Sequence, residues 1–306
     1  MASTLDISVV MVGMNTRDYV RNAIAAVEES DWGRYSHEII YVDNNSHDDS
    51  VEVIRNQFPQ VRIIANSANR NFCPAANQGS GAASGRFLLH LNNDTLVQPD
   101  AIVQMAEFLE QAPDAGVVGC RLFNPDGTDQ WSARRFPSWY NAFLGRRSPL
   151  GRTFPNAQIV RDYLFKDKIT GRTPFPVDWT GTPCMLVRRE VFFKLGGFPG
   201  DYYYWHEAAF CHRLLREGWR TFIVPTAKVV HFEGKGGGAR PYAVQRWHII
   251  DFSRGAYRFH CERHSLHRLN PRRWLAALGL GAHAGIQLLQ NWLSSLTEKK
   301  PWRALS

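Results

Sequence analysis

A chain of 306 residues holds one large α/β domain with an appendage, or two modest domains. With 44% hydrophobic and 12% aromatic residues it can bury a sizeable core, which excludes a chain disordered by composition. The formal charge of +8 sits in the tail: from Ala239 onward there are 11 Lys and Arg against 3 Asp and Glu, a surplus equal to that of the whole chain.

Ile7 to Gly13 reads as a first strand, and Asn15-Thr16-Arg17-Asp18 as the loop into a helix through about Glu29. A nucleotide base could rest on such a loop, which makes Asn15 a candidate contact. Glu38 to Val42 is a second strand, ending in Asp43-Asn44-Asn45-Ser46, and a helix follows from Val51 to Phe58. Asp43, at the strand's carboxyl end, is placed to accept hydrogen bonds from a base or ribose. Helix capping suits Ser46 and Ser50 better, and Asp43 fits either role.

Val61 to Ala65 forms a third strand, followed by Asn66 to Gly79. There Pro74 suits the first turn of a helix, and the small residues permit close packing on a sheet. Asn69 and Arg70 precede that helix, where amides and a guanidinium can meet a diphosphate. Leu88 to Leu91 then carries Asn92, Asn93 and Asp94 to a strand's carboxyl end, the edge at which open α/β sheets bind ligands. Asp94 offers a carboxylate to a divalent cation, and the two amides offer weaker oxygen ligands or sugar contacts. A polar turn closing the strand would use the same residues.

Pro99 opens another helix through about Gln111. Strand and helix in alternation, with three strand ends in succession bearing Asp or Asn, predict a doubly wound, mostly parallel sheet flanked by helices. No GxGxxG follows the first strand, which argues against a dinucleotide-binding domain.

Four segments together, Asn15, then Val42 to Ser46, then Asn69 to Phe72 with Ala76 to Gly79, then Leu91 to Thr95, resemble family 2 glycosyltransferases of the GT-A fold, especially the rhamnosyltransferase-like branch. The chain departs from that pattern in three places. Gly13-Met14-Asn15 stands for the usual Thr-Tyr-Asn, Asn71 for a Gly that Asn can replace in a left-handed backbone, and Asn92-Asn93-Asp94 for the acidic DxD metal motif. The resemblance implies an inverting glycosyltransferase with a nucleotide-sugar donor, dTDP- or UDP-linked, and a divalent cation, Mg²⁺ or Mn²⁺. Donor contacts then fall on Asn15, Asp43, Asn45, Arg70, Asn77, Asn92, Asn93 and Asp94, with Asp94 also a metal ligand.

The second half continues the resemblance through Gly116 to Phe123, the turn Asn124 to Gly127 and Gln130 to Pro137. Asn141 to Thr173, rich in Arg, Gly and Pro, reads as a variable or mobile loop. Val177 to Arg189 resembles the strand bordering the acceptor site, so Trp179, Thr180 and Gly181, with Asp201 beyond, become acceptor or sugar contacts. Trp179 stacks on a sugar ring or serves as a core aromatic. Where the family opens a helix with Glu-Asp, whose second acid is the general base, this chain has His206-Glu207; the carboxylate of Glu207 is the conservative base, ahead of His206. A Glu in a first helical turn also favours the helix dipole without any chemistry.

Thr221 to Pro225 and Lys228 to Phe232 read as two short strands. His231 matches the family's His before a glycine-rich loop, here Glu233 to Gly238, and would ligate the cation or contact the diphosphate, unless it is structural. The glycines suit a lid over bound donor or a plain linker.

The expected domains are 1–238, catalytic, with a nucleotide-sugar half 1–112 and an acceptor half 113–238, and a basic helical extension, 239–306. In that extension 242–262 and a segment from Pro271 read as helices. The second suits an interfacial membrane helix flanked by Arg and Trp, or a helix packed on the catalytic domain or in a homodimer. Five scattered cysteines without CxxC spacing argue against a zinc or disulfide scaffold and, with no signal segment seen, point to the cytoplasm and the inner face of its membrane. The acceptor implied is a bacterial surface glycan or glycolipid such as lipopolysaccharide. The weakened motifs keep open a non-catalytic nucleotide-sugar or glycan-binding module. No nucleic-acid motif accompanies the basic tail.

Overall fold

The computed structural model describes residues 5–137, 153–154, 156–232 and 242–297. It divides into two compact units, Met1–Tyr202 with His206–Gly237, and Tyr203–Trp205 with Gly238–Ser306. In the first unit the chain runs β1 (Ile7–Gly13), α1 (Arg17–Glu28), β2 (His37–Asp43), α2 (Ser50–Gln57), β3 (Arg62–Ala65), α3 (Phe72–Gly81), β4 (Phe87–Leu91), β5 (Thr95–Val97), α4 (Ala101–Gln111) and β6 (Ala115–Phe123). Then come α5 (Gln158–Tyr163), α6 (Lys166–Ile169), β7 (Phe175–Val177), β8 (Cys184–Arg188), α7 (Arg189–Lys194), α8 (His206–Arg216) and β9 (Arg220–His231). The second unit holds α9 (Tyr242–Arg263) and α10 (Pro271–Thr297).

The strands form one mixed sheet of order β3-β2-β1-β4-β8-β6-β9-β5, with β7 also on β9. β1 to β4 run parallel, β6 and β9 parallel to each other, while β8 runs antiparallel to both β4 and β6. The expected mostly parallel sheet flanked by helices is therefore present, with the carboxyl ends of β1, β2, β4, β6 and β9 on one edge. β1 is buried on both faces, as its unbroken apolar run requires. On one side Val9, Met11, Tyr41 and Leu89 meet Ile24 of α1 and Met105 of α4 in the main core. On the other, α3 lies so close that a Cβ at Gly79 would stand 2.7 Å from Val10 Cγ1 and 2.9 Å from Val42 Cγ2. The small residues of that helix thus set the depth at which it seats.

Three expectations are corrected. The run Val177 to Arg189 is two strands, β7 and β8, because Pro183 has no N–H to give a ladder and the intervening residues bend to other partners. The segments Thr221 to Pro225 and Lys228 to Phe232 are one strand, β9, in which the pairing jumps from Cys120↔Val224 to Arg121↔Lys228; the bulge falls at Pro225 for the same reason. Part of the stretch expected to be a loop is helical, α5 and α6, with Val160, Tyr163 and Leu164 buried together. Within it 141–152 and 155, and beyond it the glycine-rich Glu233–Gly238, lie outside the described residues. The five cysteines are free, four of them buried, and burial pushes the Cys211 thiol up to about 12.

Candidate functional site

Because β1, β2 and β4 are parallel and adjacent, the loops that follow them meet at one edge. Asn15 (φ +54°) and Asn45 (φ +68°) turn the chain there in a left-handed backbone that Asn adopts more readily than most residues. The Asn15 N–H donates to Ser46 Oγ at 2.9 Å, and the His47 N–H donates to Asn15 Oδ1 at 2.7 Å, so this amide laces the first loop to the second. Asp43, buried at the end of β2, accepts the Ser46 N–H at 2.9 Å and the Ser46 hydroxyl. With the Tyr41 hydroxyl, which donates to Oδ1 at 3.4 Å, these bonds close a turn and do not cap α2, which has no side-chain cap; Oδ2 keeps further lone-pair capacity.

Asn44, unassigned from sequence, is the hub of the loops. Its Nδ2–H donates to Asn71 O at 3.2 Å, and its Oδ1 accepts from Asn66 Nδ2 at 3.2 Å and from the Arg70 N–H at 3.3 Å. The Arg70 side chain is exposed beside this hub. Asn71, the residue standing for Gly, has φ +64° with ψ 171°. That is outside the left-handed helical well where Asn is tolerated and inside the region glycine favours.

At the end of β4, the Asn92 N–H donates to Pro183 O at 3.1 Å. Buried Asn93 donates from Nδ2 to Thr16 Oγ1 at 2.6 Å. Asp94 Oδ1 lies 3.3 Å from His231 Nε2, both side chains largely buried. This pairing follows from register, since Thr95 of β5 faces His231 of β9. Gln130 donates from its amide nitrogen to Asn124 Oδ1 at 2.8 Å and to His231 O at 2.6 Å, so its Oε1, 2.8 Å from His231 Nδ1, is the acceptor. Nδ1 therefore carries a hydrogen, and Nε2 is the ring nitrogen that faces the carboxylate. Two electron-pair donors facing one gap, one oriented by a second amide, fit a divalent cation. Among the described residues no group of three or more His, Cys, Asp or Glu side chains converges.

Glu207 opens α8. Its Oε1 accepts from Thr182 Oγ1 at 3.2 Å and from the Thr182 N–H at 3.5 Å, and its Oε2 lies 3.5 Å from His206 Nδ1. Thr182 precedes Pro183, whose carbonyl is held by Asn92. A two-residue segment therefore touches the cluster after β4 on one side and the carboxylate of Glu207 on the other. His206 is buried against the rings of Phe72 and Phe198. Gly181 borders Glu207, while Asp201 lies exposed in a turn.

Several expected contacts have other employment. Trp179 is 7% exposed, donates from Nε1 to Arg135 O at 2.9 Å, and has the Arg134 guanidinium over its ring at 4.8 Å. It is a core aromatic, not a stacking platform. Thr180 is buried against Gly119 of β6. The Asn77 amide donates to Phe198 O and accepts from the Phe198 N–H, both at 2.8 Å, so it ties α3 to the loop before α8. The residues that sequence reasoning left unassigned are Asn44, Gln130 and Thr182. All three lie in segments that carry the resemblance, Val42 to Ser46, Gln130 to Pro137 and Val177 to Arg189, but their partners lie far off in sequence.

The profile of the family described as "Glycosyl transferase family 2" matches residues 8–195. An N-acetylglucosaminyl-diphospho-decaprenol L-rhamnosyltransferase of Mycobacterium tuberculosis is 27% identical over 259 residues, 80% of this chain and 82% of that protein. The rhamnosyltransferase WbbL of Escherichia coli K12 is 24% identical over 55% of this chain and 60% of its own. In fold, the chain is similar to a mannosyltransferase of Pyrobaculum calidifontis solved with GDP-Man and Mn²⁺, with TM-score 0.57 at 18% identity over 99% of this chain and 83% of the other.

Proposed function

This chain belongs to glycosyl transferase family 2 and is a glycosyltransferase, and from that premise we propose that it transfers rhamnose from dTDP-rhamnose, with inversion, to a hydroxyl of a bacterial cell-surface glycan or glycolipid. The rhamnosyltransferases among its relatives support the sugar, and the O-antigen biosynthesis protein RfbC of Myxococcus xanthus, 30% identical over 65% of this chain but only 15% of that protein, is in keeping with the class of acceptor.

Residues up to about 112 hold the donor and those of 113–238 the acceptor. Asp43 accepts from the base or ribose beside Asn15 and Asn45, and the exposed Arg70 meets the diphosphate as a charge-assisted donor. Asn92 and Asn93 border the sugar. Asp94 and His231 hold Mg²⁺ or Mn²⁺, and Gln130 orients the imidazole; a bound cation neutralises charge on the leaving diphosphate. Asn77 acts by position, through Phe198.

Glu207 takes the acceptor hydroxyl's proton as that oxygen bonds the anomeric carbon from the face opposite the diphosphate. The bond from that carbon to the diphosphate oxygen breaks, and the nucleoside diphosphate leaves with the electron pair. The hydroxyl and N–H of Thr182 aim the carboxylate and leave Oε2 for the acceptor. The observation that carries the reading is the Thr182-Pro183 segment, hydrogen-bonded both to Glu207 and to Asn92.

The test is turnover of dTDP-rhamnose with and without Mn²⁺, in the wild type and in Glu207→Gln. The variant should bind donor as the wild type does while kcat falls by about 10²–10⁴. Undiminished kcat would assign the base elsewhere, and activity that survives a chelator would remove the cation.

A further inference from the structure

α10 leaves an apolar stripe open to solvent. Leu275, Leu278, Ile286, Leu289 and Leu293 are 69, 71, 58, 55 and 48% exposed. At about 100° per residue these five fall within an arc of roughly 80°, and Trp274 and Trp292 share one line at its edge, so the whole stripe spans roughly 120° of the helix. Within or beside it, a Cβ built at Gly279, Gly281 or Gly285 meets nothing within 4 Å. So much exposed apolar surface on one helix marks an interaction face.

Charge selects the occupant. From Arg263 to Thr297 there is no Asp or Glu, and Arg263, Arg268, Arg272 and Arg273 gather where α10 begins. Past its end the sequence continues with Lys299, Lys300 and Arg303 against the single acid Glu298. A second copy laid on the stripe, parallel or antiparallel, would set one basic end against another. An anionic lipid surface instead offers acyl chains to the stripe and phosphates to both ends. No described helix is long and apolar enough to cross a membrane.

We propose that α10 docks in the plane of an anionic phospholipid surface, with its Leu275 to Leu293 stripe at the acyl boundary and its arginines on the headgroup phosphates.

The full chain is sedimented with vesicles of phosphatidylcholine alone and with phosphatidylglycerol added. Partition should rise with phosphatidylglycerol and weaken with salt. Leu278→Glu with Leu289→Glu should lower it at least about tenfold. Arg268→Ala with Arg272→Ala should lower it about twenty-fold on the anionic vesicles and leave phosphatidylcholine unchanged. Both pairs are at exposed positions, and an unchanged circular dichroism spectrum and Tm show that the fold is kept. Equal partition into both vesicles, or into neither, overturns the proposal. So does a dimer in sedimentation equilibrium that the leucine variant dissociates while neither protein meets lipid, which would assign the face to a second copy.

Discussion

His231 and Asp94 meet at 3.3 Å, Nε2 to Oδ1, although 137 positions separate them in sequence, and the imidazole is held in that pose by Gln130. Gln130→Leu keeps the volume and removes the orienting acceptor. The concentration of Mn²⁺ that half-saturates transfer should rise by about 10–100-fold, the usual cost of losing a partner behind a metal ligand. A metal titration superimposable on that of the wild type would show that Gln130 orients nothing.

Asn71 sits at φ +64° and ψ 171°, where a side chain costs roughly 1–3 kcal/mol and glycine costs least. Its side chain is exposed, and the Asn44 bond goes to its carbonyl oxygen, which any residue retains. Asn71→Gly should raise stability by about 1 kcal/mol after the entropy glycine loses on folding, or about 2 °C in Tm. A lower Tm by calorimetry would mean that the strain is absent.

His90 is fully buried in β4 between the rings of Phe192 and Phe198, both of its nitrogens lack a hydrogen-bond partner among the described residues, and the ionisable group facing it is His206. Burial, with a smaller repulsion from His206, lowers its pKa from 6.5 to about 3. Between those values the unfolded chain takes up a proton that the folded chain refuses. Stability is therefore complete above pH 6.5 and falls as pH drops toward 3, by at most ~1.4 kcal/mol per pH unit from this group. His90→Leu should flatten that slope and add about 1 kcal/mol at pH 7 by removing two unsatisfied nitrogens. Urea unfolding at pH 7 and pH 5 decides, and an unaltered slope in the variant would acquit His90.

Gly13 ends β1 where a Cβ would stand 2.5 Å from the Tyr41 hydroxyl and 2.6 Å from Asn93 Nδ2. The tyrosine thus fills the space that a threonine at this position would need. Gly13→Ala should cost about 1–3 kcal/mol and raise the donor KM by dislodging Asn93 from Thr16. Adding Tyr41→Phe, which removes the nearest atom, should restore part of the stability but not the KM. If the double variant is no more stable than the single one, the contact is not the cause.

The first four strands, their parallel direction and the polar residues at their ends were legible in the sequence because period and turn chemistry are local. What those side chains hold was not. Asn77 looked like a donor contact until Phe198, 121 residues away, was seen to engage both ends of its amide. Trp179 offered a ring for stacking, but its exposure depends on Arg134, which reaches it through a pairing that no periodicity announces. Thr182 is an ordinary residue beside a proline until the first turn of α8 arrives above it. Gln130 orients His231 across 101 residues, and only the register of β9 brings the two together. Local patterning names the groups; long-range pairing decides which of them are already spoken for.

The reversed strand β8, set between β4 and β6, makes one peptide arrive where its neighbours depart. Glu207 and Asn92 are thereby gauged from the same stretch of backbone, Thr182-Pro183, so drift on one side carries the other with it. The distance between the two is therefore a property of the sheet and not of the loops around it.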